Sequence, residues 1–260
     1  ANDQDGNSAT YNSSAAQVTI PTGATVVKAQ LEWMANTGSW TADGINWNSG
    51  ATSFSCNVGQ TGGAATLATG QPNSPLNQPV LLNVAGAGYT SVSYERFAAE
   101  SPPQLGANQS QYYSAQADVT SAFASIPTGT PQTIWVGNVW APQGLNCAGG
   151  WVLNLVFDFG TALSSNTASY ARQVTLYDGH VRTFTGDTTS LTLSGFTAVA
   201  TGARLSVGLL EGDTYISGDT GTYTTNLSST LRSIPGATGV TSTSTGNLGV
   251  SFADGAQALL

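Results

Sequence analysis

Residues 27–33 read Val-Lys-Ala-Gln-Leu-Glu-Trp, with apolar and polar side chains alternating strictly. A period of two puts alternate residues on opposite faces of an extended strand, and a helix would spread the same pattern round its circumference. Val27, Ala29, Leu31 and Trp33 are therefore expected to face a core, with Lys28, Gln30 and Glu32 outside. Leu191-Thr192-Leu193 and Leu205-Ser206-Val207-Gly208-Leu209 repeat the alternation. Residues 134–140 and 151–159 are instead apolar at nearly every position, which predicts central strands covered on both faces.

Turn chemistry separates these runs. Pro21-Thr22-Gly23, Pro127-Thr128-Gly129 and the glycine-rich stretch 144–150 mark breaks. Asp178-Gly179, between strand-like residues 172–177 and 181–184, predicts a two-residue hairpin whose turn needs positive φ. One short helical turn is expected over 119–124, N-capped by Asp118. Residues 57–78, rich in Gly, Ala and Pro, read as an excursion loop. The fold class that follows is all-β: a mostly antiparallel β-sandwich or jelly roll with one short helix. Residues 1–236 form the expected sandwich domain. Residues 237–260 form a Ser/Thr/Gly-rich C-terminal segment that would serve as edge strand, donor strand or linker.

Charged residues make up 8% of the 260 residues, against roughly 25% in an average soluble domain. Hydroxyl and amide groups must hydrate the surface instead, a habit of extracellular β-proteins. With 40% hydrophobic residues and six Trp, the chain still carries enough apolar area to offset its conformational entropy. Fourteen acidic residues against six basic ones give a net charge of −8, and no Lys/Arg cluster occurs. That balance excludes a nucleic-acid partner and electrostatic docking on anionic lipid. No apolar run reaches the ~18 residues of a membrane helix, so no membrane insertion is expected. The opening Ala-Asn-Asp-Gln fits a mature N-terminus after signal-peptide removal. Cys56 and Cys147 are expected to pair in one disulfide in an exported protein, the competing reading being two separate buried thiols. With one histidine in the chain, a zinc site lacks ligands.

Several short segments occur in an order that resembles a family of large secreted bacterial surface proteins. These are Asn12-Ser13-Ser14-Ala15, Ile20-Pro21-Thr22-Gly23-Ala24-Thr25-Val26-Val27-Lys28-Ala29, Ala117-Asp118-Val119-Thr120 and Ala148-Gly149-Gly150-Trp151-Val152-Leu153. After them come Val174-Thr175-Leu176-Tyr177-Asp178-Gly179, Glu211-Gly212-Asp213 and Ser217-Gly218-Asp219. In that family a β-sandwich module of uncharacterised activity precedes adhesive or stalk domains. The resemblance implies an exported, surface-attached location and a structural or adhesive role, and it carries no catalytic motif.

The residues offer little catalysis. A serine nucleophile needs a base; His180 is the sole histidine, and no G-x-S-x-G elbow exists. Glu211 and Asp213 form the best carboxylate pair for a glycosidase, but Glu211 reads first as a loop cap or a partner of Arg172 or Arg204. No cofactor is required. Calcium is the ion whose oxygen ligands the loops offer, at Asp3 and Asp5 of the Asp-Gln-Asp-Gly-Asn opening and at Glu211, Asp213 and Asp219. Trp40, Trp47, Tyr112 and Tyr113 lie in polar surroundings and are the aromatics a sugar would stack on. Trp33, Trp135, Trp140 and Trp151 read as core. Glycosylation sequons begin at Asn12, Asn108 and Asn226. Lys28, the sole lysine, has Glu32 on its own strand face, an arrangement that invites comparison with internal lysine crosslinks.

The expected function is that of an extracellular, non-enzymatic structural protein: a subunit of a pilus-like filament, a sheath or an adhesive layer. Its partners would be copies of itself or other surface proteins, joined by β-strand addition. The candidate donor segments are residues 9–20 and 248–260, the latter with Val250, Phe252 and Leu260 as pocket-filling side chains. A monomeric carbohydrate-binding or adhesin module is the alternative.

Overall fold

A computed structural model of the chain describes residues 3–39, 53–54, 56, 65–99, 110–144, 147–160, 173–181, 204–206, 220–222, 247–249 and 257–259. The chain divides into two compact units, residues 1–172 with 178–182, and residues 173–177 with 183–260. The expected boundary at residue 236 lies outside the described residues.

The first unit holds strands β1 (Ser13–Val18), β2 (Thr25–Ser39), β3 (Ser53–Phe54), β4 (Ala65–Thr66) and β5 (Val80–Val84). It continues with β6 (Thr90–Val92), β7 (Arg96–Ala99), β8 (Ser110–Asp118), β9 (Gln132–Gly137) and β10 (Gly149–Asp158). Eight of these make two four-stranded antiparallel sheets, ordered β1-β9-β5-β6 and β10-β2-β8-β7. The inner faces of both sheets feed one hydrophobic cluster. Ala29, Leu31, Trp33 and Ala35 of β2 and Tyr113, Ala115 and Ala117 of β8 meet Val80, Leu82 and Val84 of β5 and Ile134 and Val136 of β9. One core between two antiparallel layers is a sandwich, as the alternating pattern predicts.

In the second unit, β11 (Arg204–Ser206) pairs with β14 (Gln257–Leu259), and β12 (Thr220–Thr222) with β13 (Asn247–Gly249). Among the described residues helical structure is confined to two 3₁₀ turns, Pro75–Asn77 and Thr120–Phe123. The second is the expected short helix in tighter form. Its N-cap is Val119, without a side-chain cap, rather than Asp118; one residue earlier, Asp118 Oδ1 accepts the Thr120 N–H at 2.8 Å. The first lies inside the expected excursion loop, which also contributes β4.

Three sequence expectations are corrected. Val27 is 51% exposed rather than buried. The register with β10 slips from Lys28↔Val156 to Val26↔Phe157, so Val27 is the extra residue of a β-bulge and the phase of burial inverts there. Residues 151–159 are not seen as a central strand: among the described residues β10 has a strand neighbour, β2, on one side only, and it is half-buried along most of its length. Residues 173–181 carry no strand or turn of a hairpin, and Gly179 does not adopt positive φ. Asp178 forms an ion pair with Arg96 Nη1 instead, at 2.9 Å.

Cys56 and Cys147 are joined in a disulfide with a Cα–Cα separation of 5.0 Å. No helix among the described residues is long and apolar enough to cross a membrane.

Candidate functional site

The feature of the first unit that most invites a partner is the outer edge of β10. The Asn36 N–H donates to the Ala148 carbonyl at 2.9 Å, and Gly149 stands opposite Ala35 in the register. Ala148 and Asn36 therefore form a hydrogen-bonded pair. Such pairs alternate along an antiparallel ladder, so residues 150, 152, 154 and 156 direct their N–H and C=O groups to β2. The backbone groups of Trp151, Leu153 and Leu155 point the other way, and no described strand pairs there. The side chains of these three residues pack against the core, while Val152, Asn154 and Val156 lie on the outer face. Natural edges are blunted by Lys, Pro, bulges or short length. β10 is 10 residues long, contains neither Lys nor Pro, and carries its one charge at the terminal Asp158.

The opposite sheet ends in β1, which is tied down differently. Asn138 adopts φ 59 just past β9 and accepts the Tyr11 N–H on its Oδ1 at 2.9 Å. Asn12 Nδ2 donates to the Val139 carbonyl at 2.7 Å, so the amide of that sequon links β1 to the end of β9.

Asp3 and Asp5, the expected calcium ligands, are brought together. Asp3 Oδ1 and Asp5 Oδ1 each accept from the Ser13 hydroxyl at 2.8 Å and from the Thr10 hydroxyl at 3.3 and 2.9 Å respectively. Asp5 also accepts the Asn7 N–H and the Tyr89 hydroxyl. Burial pulls the Asp5 carboxyl up, but the Tyr89, Ser13 and Asn7 donors outweigh it and hold it below the usual carboxylate range. In this geometry the carboxylates pin the N-terminal loop to the sheet. Glu211, Asp213 and Asp219 lie outside the described residues.

Polar residues gather on the outer face of the second sheet. Glu32 Oε1 accepts from Gln30 Nε2 at 3.0 Å and Asn154 Nδ2 at 3.2 Å. Burial pushes the Glu32 carboxyl up, and the nearby Asp178 charge adds to it, against the two amide donors. Lys28 Nζ meets Asp118 Oδ2 at 2.6 Å. The ammonium and the Thr120 donors hold Asp118 down at about 2. Lys28 therefore pairs with Asp118 of β8, while Glu32 on its own strand is held by Gln30 and Asn154.

His180 Nδ1 lies 2.9 Å from Ser114 Oγ. That contact resembles an activated nucleophile, but Ser114 sits mid-strand in β8, opposite Met34 on one side and Ala98 on the other. Its local backbone N–H groups are committed to ladders and cannot form an oxyanion hole. Both Asp178 oxygens accept from Arg96. The His–Ser contact therefore anchors the 178–181 segment to the sheet.

The aromatic expectations divide. Tyr113 is 1% exposed and donates its hydroxyl to the Trp140 carbonyl at 2.9 Å, because odd-numbered residues of β8 face the core; it is no ligand platform. Tyr112, on the outer face, is half-buried with its hydroxyl 3.4 Å from Asn36 Nδ2. Trp33 and Trp140 are core, as expected. Trp135 is half-buried and alternates with the inward Ile134 and Val136, which places it on the outer face of its sheet. Trp40, Trp47, Asn108, Asn226, Val250, Phe252 and Leu260 lie outside the described residues. The edge position of β10 was missed because an apolar run reads as doubly covered whether or not a neighbouring strand exists. Comparison with known protein families, curated proteins and solved structures finds no match.

Proposed function

We propose that this chain is an extracellular structural subunit of a surface filament, sheath or adhesive layer, assembling with other copies by β-strand addition. The observation that carries the reading is the outer edge of β10: apolar, uncharged over most of its length and paired on one side only among the described residues. An edge of this kind is a template for another strand. The disulfide between Cys56 and Cys147 accords with an oxidising compartment.

Both donor segments expected from sequence contribute strands to their own chain. Residues 9–20 include β1, which pairs with β9, and the 248–260 region contributes to β13 and β14. Strand donation by either would require it to leave that place, so the receiving edge is better defined than the donor.

Negative-stain electron microscopy with light scattering of the native protein tests the proposal. Filaments, sheets or concentration-dependent oligomers are expected. A monomer of 26.5 kDa at every concentration overturns it and favours the carbohydrate-binding alternative, for which Tyr112 and Trp135 are described outer-face aromatics to mutate first.

A further inference from the structure

The order of residues in β10 names a partner for its edge. From residue 151 to 157 the strand reads Trp-Val-Leu-Asn-Leu-Val-Phe, a near-palindrome centred on Asn154. A twofold interface brings residue i of one copy to residue j of the other and j to i, so a strand that reads the same both ways is self-complementary. We infer that β10 pairs antiparallel with β10 of a second copy, about a twofold axis at Asn154. This inference rests on the assembly reading and specifies one of its contacts.

The ladder parity agrees with that axis. The outward N–H and C=O groups belong to Trp151, Leu153 and Leu155, by the alternation set at Ala148–Asn36. With Asn154 opposite Asn154 of the second copy, Leu153 faces Leu155 and Trp151 faces Phe157, all at odd positions. Leu153 and Leu155 can then exchange hydrogen bonds through their outward backbone groups, while the central Asn154 pair is of the non-hydrogen-bonded kind. A register one residue away would set outward groups against groups already bonded to β2, and the bonds would be lost.

Side-chain chemistry matches across the axis as well. On the inner face, where Trp151, Leu153 and Leu155 meet the core, leucine would meet leucine and an indole would meet the Phe157 ring, which is 39% exposed in the single chain. On the outer face Val152 would stand opposite Val156, and two Asn154 amides would meet at the centre. No charge lies between Gly149 and Phe157, so no like charges are brought together. The two second sheets would join into one continuous eight-stranded layer. A twofold contact closes on itself, so a filament would need a further, different contact between such dimers.

Cysteine crosslinking of the full chain tests the axis. In a non-hydrogen-bonded antiparallel pair the Cα atoms lie roughly 4.5 Å apart, within the roughly 4.4–6.8 Å that a disulfide spans. Asn154→Cys treated with copper–phenanthroline is expected to give a covalent dimer on a non-reducing gel. Val152→Cys is the control: its two copies would be offset by four residues, roughly 13 Å along the strand, and should stay uncrosslinked. Asn154→Lys places an ammonium beside Glu32 in its own chain, where Asn154 now donates, but sets two ammonium groups against each other across the axis. It is expected to raise the dimer dissociation constant about tenfold or more while leaving near-ultraviolet dichroism unchanged.

Equal crosslinking at 152 and 154, or none at 154, overturns the inference. Filaments from the wild-type chain with no crosslink at 154 sink this contact and leave the assembly reading standing. A wild-type chain that is monomeric throughout sinks both. If Asn154→Lys fails to fold, the cysteine pair alone decides.

Discussion

The Trp151 indole N–H donates to Ser14 Oγ at 2.8 Å, so β10 of one sheet is bonded to β1 of the other. Among the described strands β10 and β1 each stand at the end of their sheet. The bond satisfies a half-buried donor that packing alone would leave unpaired. Trp151→Phe keeps an aromatic ring and deletes the bond. It should lower unfolding stability by about 1 kcal/mol in urea titration, and a variant as stable as the parent would show that the bond contributes nothing net.

The disulfide closes a separation of 91 residues, and its loop-closure effect on the unfolded chain is about 4–5 kcal/mol in the entropic account. Reduction, or replacement of Cys56 and Cys147 by Ser together, is expected to lower the free energy of unfolding by that order and the urea midpoint with it. Identical urea curves with and without reductant would contradict it.

The Lys28–Asp118 pair makes stability depend on acid. Asp118 titrates at about 2 in the folded chain, below its ordinary 3.8, so its contribution is full above about 4 and is lost as pH falls towards 2. Because both side chains are partly exposed, the effect is small, about 0.2–1 kcal/mol. Asp118→Asn should cost that amount at pH 7 while keeping an oxygen for the Thr120 N–H. The difference from wild type should vanish near pH 2. A gap that persists at pH 2 would assign the loss to something other than the charge.

Glu32 runs the opposite way. Its folded carboxyl is raised, chiefly by burial, so the ionised form is penalised above the folded value and the penalty disappears below the ordinary carboxylate range. Glu32→Gln keeps an acceptor for Gln30 and Asn154 without the charge. Thermal melts should show it more stable than wild type at pH 7 and no more stable at pH 3. A variant destabilised at pH 7 would mean that the charge-assisted bonds outweigh burial.

Asn138 holds a left-handed backbone and bonds the N-terminal segment through its side chain. Asn138→Ala loses both the tolerance for positive φ and the Tyr11 N–H acceptor, and should cost about 2 kcal/mol in the same assay. A loss below the error of the measurement would count against both roles.

Much of the fold was legible in the residues. The alternation at 27–33 identifies β2 and its inward Ala29, Leu31 and Trp33, because a period of two is a local property of the strand. The short helical turn after Asp118 is equally local, since Asp118 Oδ1 accepts the N–H two residues on, although the cap itself falls at Val119. The single cysteine pair left one possible bridge.

What needed the third dimension was anything set by a neighbour far along the chain. Whether the apolar run of β10 is central or an edge depends on whether another strand lies beside it, and the run itself reads the same either way. The exposure of Val27 follows from a bulge, which is a relation between two strands. Tyr112 and Tyr113 differ in burial because β8 puts odd residues inward, and β8 extends further than the residues around them indicate. Asp178, expected in a local hairpin turn, instead meets Arg96, 82 residues away. Local periodicity and turn chemistry are written in consecutive residues, whereas sheet order, edges and ion pairs are settled by which distant segments meet.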